Sequence, residues 1–300
     1  MRHAIKALTL AVAVLISPIN YAQETKITVL SDIAYGTDPK QALDVYIPAK
    51  AGGAPVIVMV HGGGWAGGDK ALLDEYENKV QHWVNNGFVF VSINYRTLPE
   101  ADPIAQVQDV KEALLFAQQN AKEWGGDPTE FILMGHSSGA HLTSLLATTY
   151  RVNEDYIDTP TQALLGVISL DSSAYNIVSR LSEEQPPKRY QSVFGTDMEY
   201  WQKASPFYSV SNKLPPFLAV CSTQSKSACA EANKFKVKAN SEGASVSVLS
   251  VDMPHSEINS QLGQEPCYTQ SVDDFIKELS PKVKFIHLKN RALMASDNCS

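Results

Sequence analysis

The 300-residue chain reads as an α/β fold, a mostly parallel eight-stranded sheet with helices on both faces. Three observations predict it. Short apolar runs alternate with segments of helical period along the chain. One run, Phe131-Ile132-Leu133-Met134, breaks at Gly135-His136-Ser137-Ser138-Gly139 and restarts with helical spacing. Another, Val56-Ile57-Val58-Met59-Val60, ends in His61-Gly62-Gly63-Gly64-Trp65.

Strands are expected over 27–30, 42–47, 56–60, 88–93, 131–134, 164–170, 217–221 and 246–251. Helices are expected over 73–86, 104–122, 138–149, 229–241 and 268–279. Asp127-Pro128 is expected to break the chain just before the strand that leads to Ser137. Residues 172–213 stand apart: Pro186, Pro187 and Pro206 punctuate a polar stretch holding Tyr175, Tyr190, Phe194, Tyr200 and Trp201. An insertion after a strand's carboxyl end would overhang a site as a small lid. It could equally be a surface excursion that buries its aromatics to hold itself down.

Gly-x-Ser-x-Gly on a strand-to-helix turn is the signature of a nucleophile elbow. The glycines leave room for a strained turn, and the helix that follows directs its N-terminal N–H groups at charge developing beside the serine. The Gly62-Gly63-Gly64 run lets a backbone approach a ligand closely. The amides of Gly63, Gly64 and Ser138 are the expected oxyanion-hole donors.

Those two motifs occur in fixed order with Leu43-Asp44-Val45-Tyr46-Ile47-Pro48, Val91-Ser92-Ile93-Asn94-Tyr95-Arg96 and Gly126-Asp127-Pro128. Together they resemble the α/β-hydrolase esterases related to hormone-sensitive lipase, especially the branch holding kynurenine formamidases and acetyl-xylan or feruloyl esterases. The resemblance runs from about Asp32 to Leu279. It implies a serine carboxylic ester hydrolase acting on small or aryl esters through an acyl-enzyme on Ser137. An arylformamidase and a catalytically dead binding protein of the same fold are the alternatives.

A serine hydroxyl needs a base. Of the seven histidines, His255 in Asp252-Met253-Pro254-His255-Ser256 lies after the last strand, where the family's chain order puts the catalytic histidine. His61 opens the glycine loop and is expected to brace it. His136 is the variable elbow residue, His141 lies one turn into the following helix, and His82 and His287 lie on a surface helix and in the tail. The family's commonest acid position falls in Ser222-Thr223-Gln224-Ser225-Lys226-Ser227-Ala228, which has no carboxylate. Asp171, at the end of the preceding strand, is the expected acid, with Glu231 and Asp252 as alternatives. An N-cap role would also suit Asp171 before two serines.

Met1 to Ala22 reads as a secretory signal peptide: Arg2, His3 and Lys6, a short apolar run, then turn-forming residues, although Asn20 stands where a small residue is preferred. Residues 23–300 are then a single domain of periplasmic or secreted location, with 281–300 a C-terminal tail. A retained anchor or a lipoprotein signal is the alternative, and no cysteine stands near the cleavage site to be lipidated. Four cysteines suggest two disulfides, Cys221 with Cys229 and Cys267 with Cys299. A net charge of −7 without a basic cluster argues against nucleic acid or anionic membrane partners. No metal or organic cofactor is implied, the expected partner is a small ester, and the oligomeric state stays open.

Overall fold

The computed structural model describes residues 26–149, 164–284 and 286. One sheet holds β1 (Thr28–Ala34), β2 (Ala42–Ile47), β3 (Ala54–Val60), β4 (Val89–Ile93), β5 (Gly126–His136), β6 (Gly166–Leu170), β7 (Phe217–Ser222) and β8 (Val246–Val251). Its order is β1-β2-β4-β3-β5-β6-β7-β8; β2 runs antiparallel to its neighbours β1 and β4, and every other pair is parallel. This is the α/β-hydrolase arrangement, and every expected strand is present.

Side chains alternate across the central strands, because successive residues of a strand point to opposite faces. Val56, Val58 and Val60 of β3 and Phe131 and Leu133 of β5 pack on one face, under α2 (Pro103–Asn120), α3 (Ser138–Thr149) and α8 (Ala228–Ser241). Ile57 and Met59, with Ile132 and Met134, pack on the other with Trp83, Ile258 and Tyr268. That second face is covered by α1 (Leu73–Lys79), α9 (His255–Ser260) and α10 (Pro266–Lys277). Strands buried on both faces explain the unbroken apolar runs of the sequence.

Three boundaries differ from the sequence reading. Pro128 lies inside β5 rather than ahead of it. The ladder pairs Ala54 with Gly126, shifts, and resumes at Val56 with Phe131, so Pro128 occupies an irregular stretch where a missing N–H does no harm. His255 begins a helix rather than standing in a loop. The insertion carries four short helices, α4 (Ile177–Leu181), α5 (Lys188–Phe194), α6 (Met198–Lys203) and α7 (Pro206–Ser209), joined by turns. Its pieces are too short to show a helical period in the sequence. Asn176 caps α4 through its own side chain, so Asp171 is not that cap.

β3 has β4 on one side and β5 on the other, so chain order reverses there. In open α/β sheets ligands bind outside the carboxyl ends of strands at such a point. The loops leaving β3 and β5 carry Gly62–Gly64 and Ser137.

Candidate active site

At the end of β5, Ser137 takes φ 56°, a left-handed backbone that costs a non-glycine residue free energy. Close approach on both sides makes the flanking glycines necessary. A Cβ on Gly135 would lie 2.5 Å from the Gly139 carbonyl oxygen, and one on Gly139 would lie 2.2 Å from that of Val60. The start of α3 thus sits directly on the end of β3.

His255 Nε2 is 3.0 Å from Ser137 Oγ, and its Nδ1 is 2.6 Å from Asp171 Oδ2. A carboxylate only accepts, so Nδ1 carries the proton and Nε2 accepts from the serine hydroxyl. The second oxygen, Asp171 Oδ1, accepts from the Ser222 N–H at 2.7 Å. The Asp171 side chain is 2% exposed and that of His255 53% exposed. The acid is therefore sealed while the imidazole faces the cleft.

Gly63 and Gly64 line this cleft with Ser137 and Ser138. Both glycines have positive φ, 131° and 62°. A Cβ on Gly63 would strike the Gly67 carbonyl oxygen at 2.0 Å. His61 braces the same loop: its Nδ1 lies 2.7 Å from the Gly62 carbonyl oxygen, its ring stacks on Tyr95, and Tyr95 Oη donates to the His61 carbonyl oxygen at 2.9 Å. Burial pushes the His61 pKa down. The open cleft measures about 720 Å³, within the size range of small-molecule sites.

A family model described as BD-FAE matches residues 43–235. The chain belongs to the BD-FAE family. It is 28% identical over 221 residues to a probable isoprenylcysteine alpha-carbonyl methylesterase, ICMEL1, of Arabidopsis thaliana, covering 67% of this chain and 45% of the relative. It is 29% identical over 208 residues to esterase LipC of Mycobacterium tuberculosis, covering 63% of this chain and 49% of the relative. The chain thus spans about half the length of the curated relatives it matches. Among solved structures, a truncated carbohydrate esterase from gut microbiota superposes with a TM-score of 0.70 at 21% identity, covering 86% of this chain and 98% of that one. Thermogutta terrifontis esterase 2, phosphonylated by sarin, gives 0.67 at 20% identity over 86% and 96%. These likenesses show the fold.

The alternative acids of this BD-FAE member lie elsewhere. Glu231 pairs with Lys234 on α8, and Asp252 accepts from Thr223 and Gln224. Cys221 and Cys229 are disulfide-bonded and bracket the loop that begins at Ser222. Cys299, the signal segment and His287 lie outside the described residues.

Three contributors escaped the sequence reading. His136, at the elbow's variable position, donates from Nε2 to the His255 carbonyl oxygen at 3.1 Å, and the two rings are 4.7 Å apart. Burial, then the neighbouring His255, push its pKa down to about 3. His141 accepts at Nδ1 from Trp65 Nε1 at 3.0 Å and donates from Nε2 to the Ala204 carbonyl oxygen at 2.7 Å. Indole N–H can only donate, so this ring is neutral; burial holds its pKa near 4. Glu75 lies behind the glycine loop, buried, with Oε1 accepting from the Gly62 N–H at 3.4 Å. Burial raises its pKa. Neither the x of a Gly-x-Ser-x-Gly motif nor a glutamate on an amphipathic helix carries any local signal of such contacts.

The insertion unites the two roles the sequence left open. Phe194 is buried, and Trp65 meets Tyr190 and Phe194 edge-on at centroid separations of 5.5 and 5.0 Å. The aromatics hold the segment down while Arg189 and Tyr190 line the cleft.

Proposed function

We propose that the chain is a serine carboxylic ester hydrolase acting on small or aryl esters. The observation that carries this reading is the continuous hydrogen-bonded chain from Ser137 Oγ through His255 to Asp171, opening on a cleft beside the glycine loop. Ser137 Oγ attacks the ester carbonyl as His255 Nε2 takes its proton. Asp171 holds the imidazole in the required tautomer and stabilises the imidazolium. The amides of Gly63, Gly64 and Ser138 receive the oxyanion, a donor of this kind being worth about 3 kcal/mol in the transition state. His255 returns the proton to the departing alcohol. Water then attacks the acyl-enzyme by the same route and frees Ser137.

The esterase names of the relatives support the reaction class. The experiment is hydrolysis of p-nitrophenyl esters of increasing acyl length, with wild type beside Ser137→Ala and His255→Ala. Cleavage of short esters that both variants abolish is the expected result. A wild type inert on esters but active on an N-formyl aryl amide would replace this reading with an arylformamidase.

Export is part of the same proposal, supported by the basic and apolar start of the sequence and by the Cys221–Cys229 disulfide. Fractionation with N-terminal sequencing of the mature protein tests it: a chain beginning after Ala22 outside the cytoplasm is expected, and an unprocessed cytoplasmic chain would sink it.

A further inference from the structure

The cleft holds a full positive charge that the ester chemistry leaves unused. Arg189, the second residue of α5, sits over the glycine loop. Its guanidinium comes so near that a Cβ on Gly64 would lie 1.6 Å from Nη1 and 2.7 Å from Cζ. Position 64 is thus bare for two reasons, its φ of 62° and the room it gives this side chain.

Arg189 is exposed to the cleft and makes no ion pair among the described residues. Among the described residues its guanidinium makes one hydrogen bond, Nη1 to the Gly63 carbonyl oxygen at 3.5 Å, at the limit of such a bond. The two carboxyl groups that line the cleft do not neutralise it. Asp171 has both oxygens engaged by His255 and Ser222. Glu75 is buried behind the loop, where it faces Lys79 and accepts from the Gly62 N–H. The cleft lining is mixed: the hydroxyls of Ser172, Ser173, Tyr190 and Ser225 stand among the apolar Leu72, Trp65, Ala174 and Ala228, with Ser173 Oγ 3.1 Å from Tyr190 Oη. Arg180, 5.7 Å from the Tyr190 ring centre, is paired with Glu183, so Arg189 is the cation left for a ligand here among the described residues.

A guanidinium presents five donors in a planar fork that matches a carboxylate, and few of them are used here. A hydrocarbon group laid against Arg189 would strip water from the cation without replacing its hydrogen bonds. The chain's net charge of −7 repels anions at long range, so a preference for them must arise from local contact. We propose that the enzyme selects esters bearing a free carboxylate, with Arg189 as the specificity-determining residue that binds it. The proposal rests on the ester-hydrolase reading and names its substrate class.

The test compares kcat/KM within two matched pairs. p-Nitrophenyl valerate and p-nitrophenyl hemiglutarate differ by a carboxylate on the acyl side. Phenyl acetate and 4-carboxyphenyl acetate differ by one on the alcohol side. The readout is the anionic-to-neutral ratio for each variant, in which the amount of folded protein cancels. In at least one pair Arg189→Gln is expected to lower this ratio about 10- to 100-fold, the range of a charge-assisted contact. Arg189→Glu should lower it further, and Arg189→Lys should restore part of it. The pair that responds identifies which side of the ester carries the carboxylate. A ratio unmoved in both pairs, with neutral esters still cleaved by wild type, overturns this proposal and leaves the ester hydrolase standing. A wild type that cleaves none of the four overturns both.

Discussion

Ser137 and Asp171 end adjacent parallel strands, β5 and β6, and both take a left-handed backbone, with φ 56° and 52°. Each donates its N–H to the next strand over, Ser137 to Leu170 at 2.9 Å and Asp171 to Val220 at 2.8 Å. The device is the same at both strand ends: one more rung of the ladder, then a sharp turn that lifts a side chain off the sheet edge. Its support differs. At Ser137 the turn is possible because Gly135 and Gly139 have no side chains where α3 meets β3. At Asp171 it is held by the side chain itself, through Ser222 N–H and His255. Strain of this kind costs about 1–3 kcal/mol. It is offset by fit in the first case and by side-chain hydrogen bonds, which an amide oxygen can also accept, in the second.

Breaking the two ends should therefore give different signatures. Ser137→Ala is expected to lower kcat on a p-nitrophenyl ester by about five to six orders of magnitude, and a fluorophosphonate probe should no longer label the protein. Asp171→Asn should cost about four orders, because an amide no longer fixes the imidazole tautomer. It should leave the melting temperature nearly unchanged, since Asn tolerates the left-handed region. Glu231→Gln, at a buried carboxyl paired with Lys234, and Asp252→Asn, at an exposed one, should stay within about threefold of wild type, since neither is bonded to Ser137 or His255 among the described residues; a larger loss in either would reassign the acid.

The glycine end is expected to fail in stability. Gly139→Ala places a methyl 2.2 Å from the Val60 carbonyl oxygen, a clash worth about 3 kcal/mol in urea unfolding. Gly52→Ala, with nothing within 4 Å, should stay within about 0.5 kcal/mol. Equal effects at the two positions would mean that the elbow packs more loosely than described.

The smallest effect comes from the buried histidines behind the elbow. His136 and His141 titrate near 3 and near 4 in the folded chain, against about 6.5 when unfolded. Above about pH 6.5 both states are neutral and the stability is complete. As pH falls below that, the unfolded chain binds protons the folded chain refuses, and stability declines until the folded pKa of each ring is passed. Near pH 5 each ring contributes a slope of about 1.4 kcal/mol per pH unit. Unfolding free energies from pH 6 to 4.5 should flatten by that amount in His141→Gln, and an unchanged slope would count against it.

The same contrast explains what the sequence disclosed. Steric requirements leave marks: the glycines at 62–64, 135 and 139, and the apolar runs of strands covered on both faces, could be read directly. Asp171 could not be derived from its neighbours. It entered as the carboxylate at a strand end that the family resemblance places beside the expected histidine. His136, His141 and Glu75 left no trace, because their partners at His255, Trp65, Ala204 and Gly62 are set by the tertiary fold rather than by local pattern. Pro128 misled for a related reason: a shift in the β3–β5 register absorbs it, and register is invisible in one strand alone.

His141 ties three distant stretches of chain together through one neutral ring: the tryptophan after the glycine loop, the elbow helix and the end of α6 in the insertion. The insertion and the oxyanion loop are consequently one mechanical part, with the imidazole as its keystone. Lifting the cover would pull on Trp65 and deform the loop that meets the substrate's carbonyl. A cover tied in this way is expected to act as a fixed aperture rather than a hinged door.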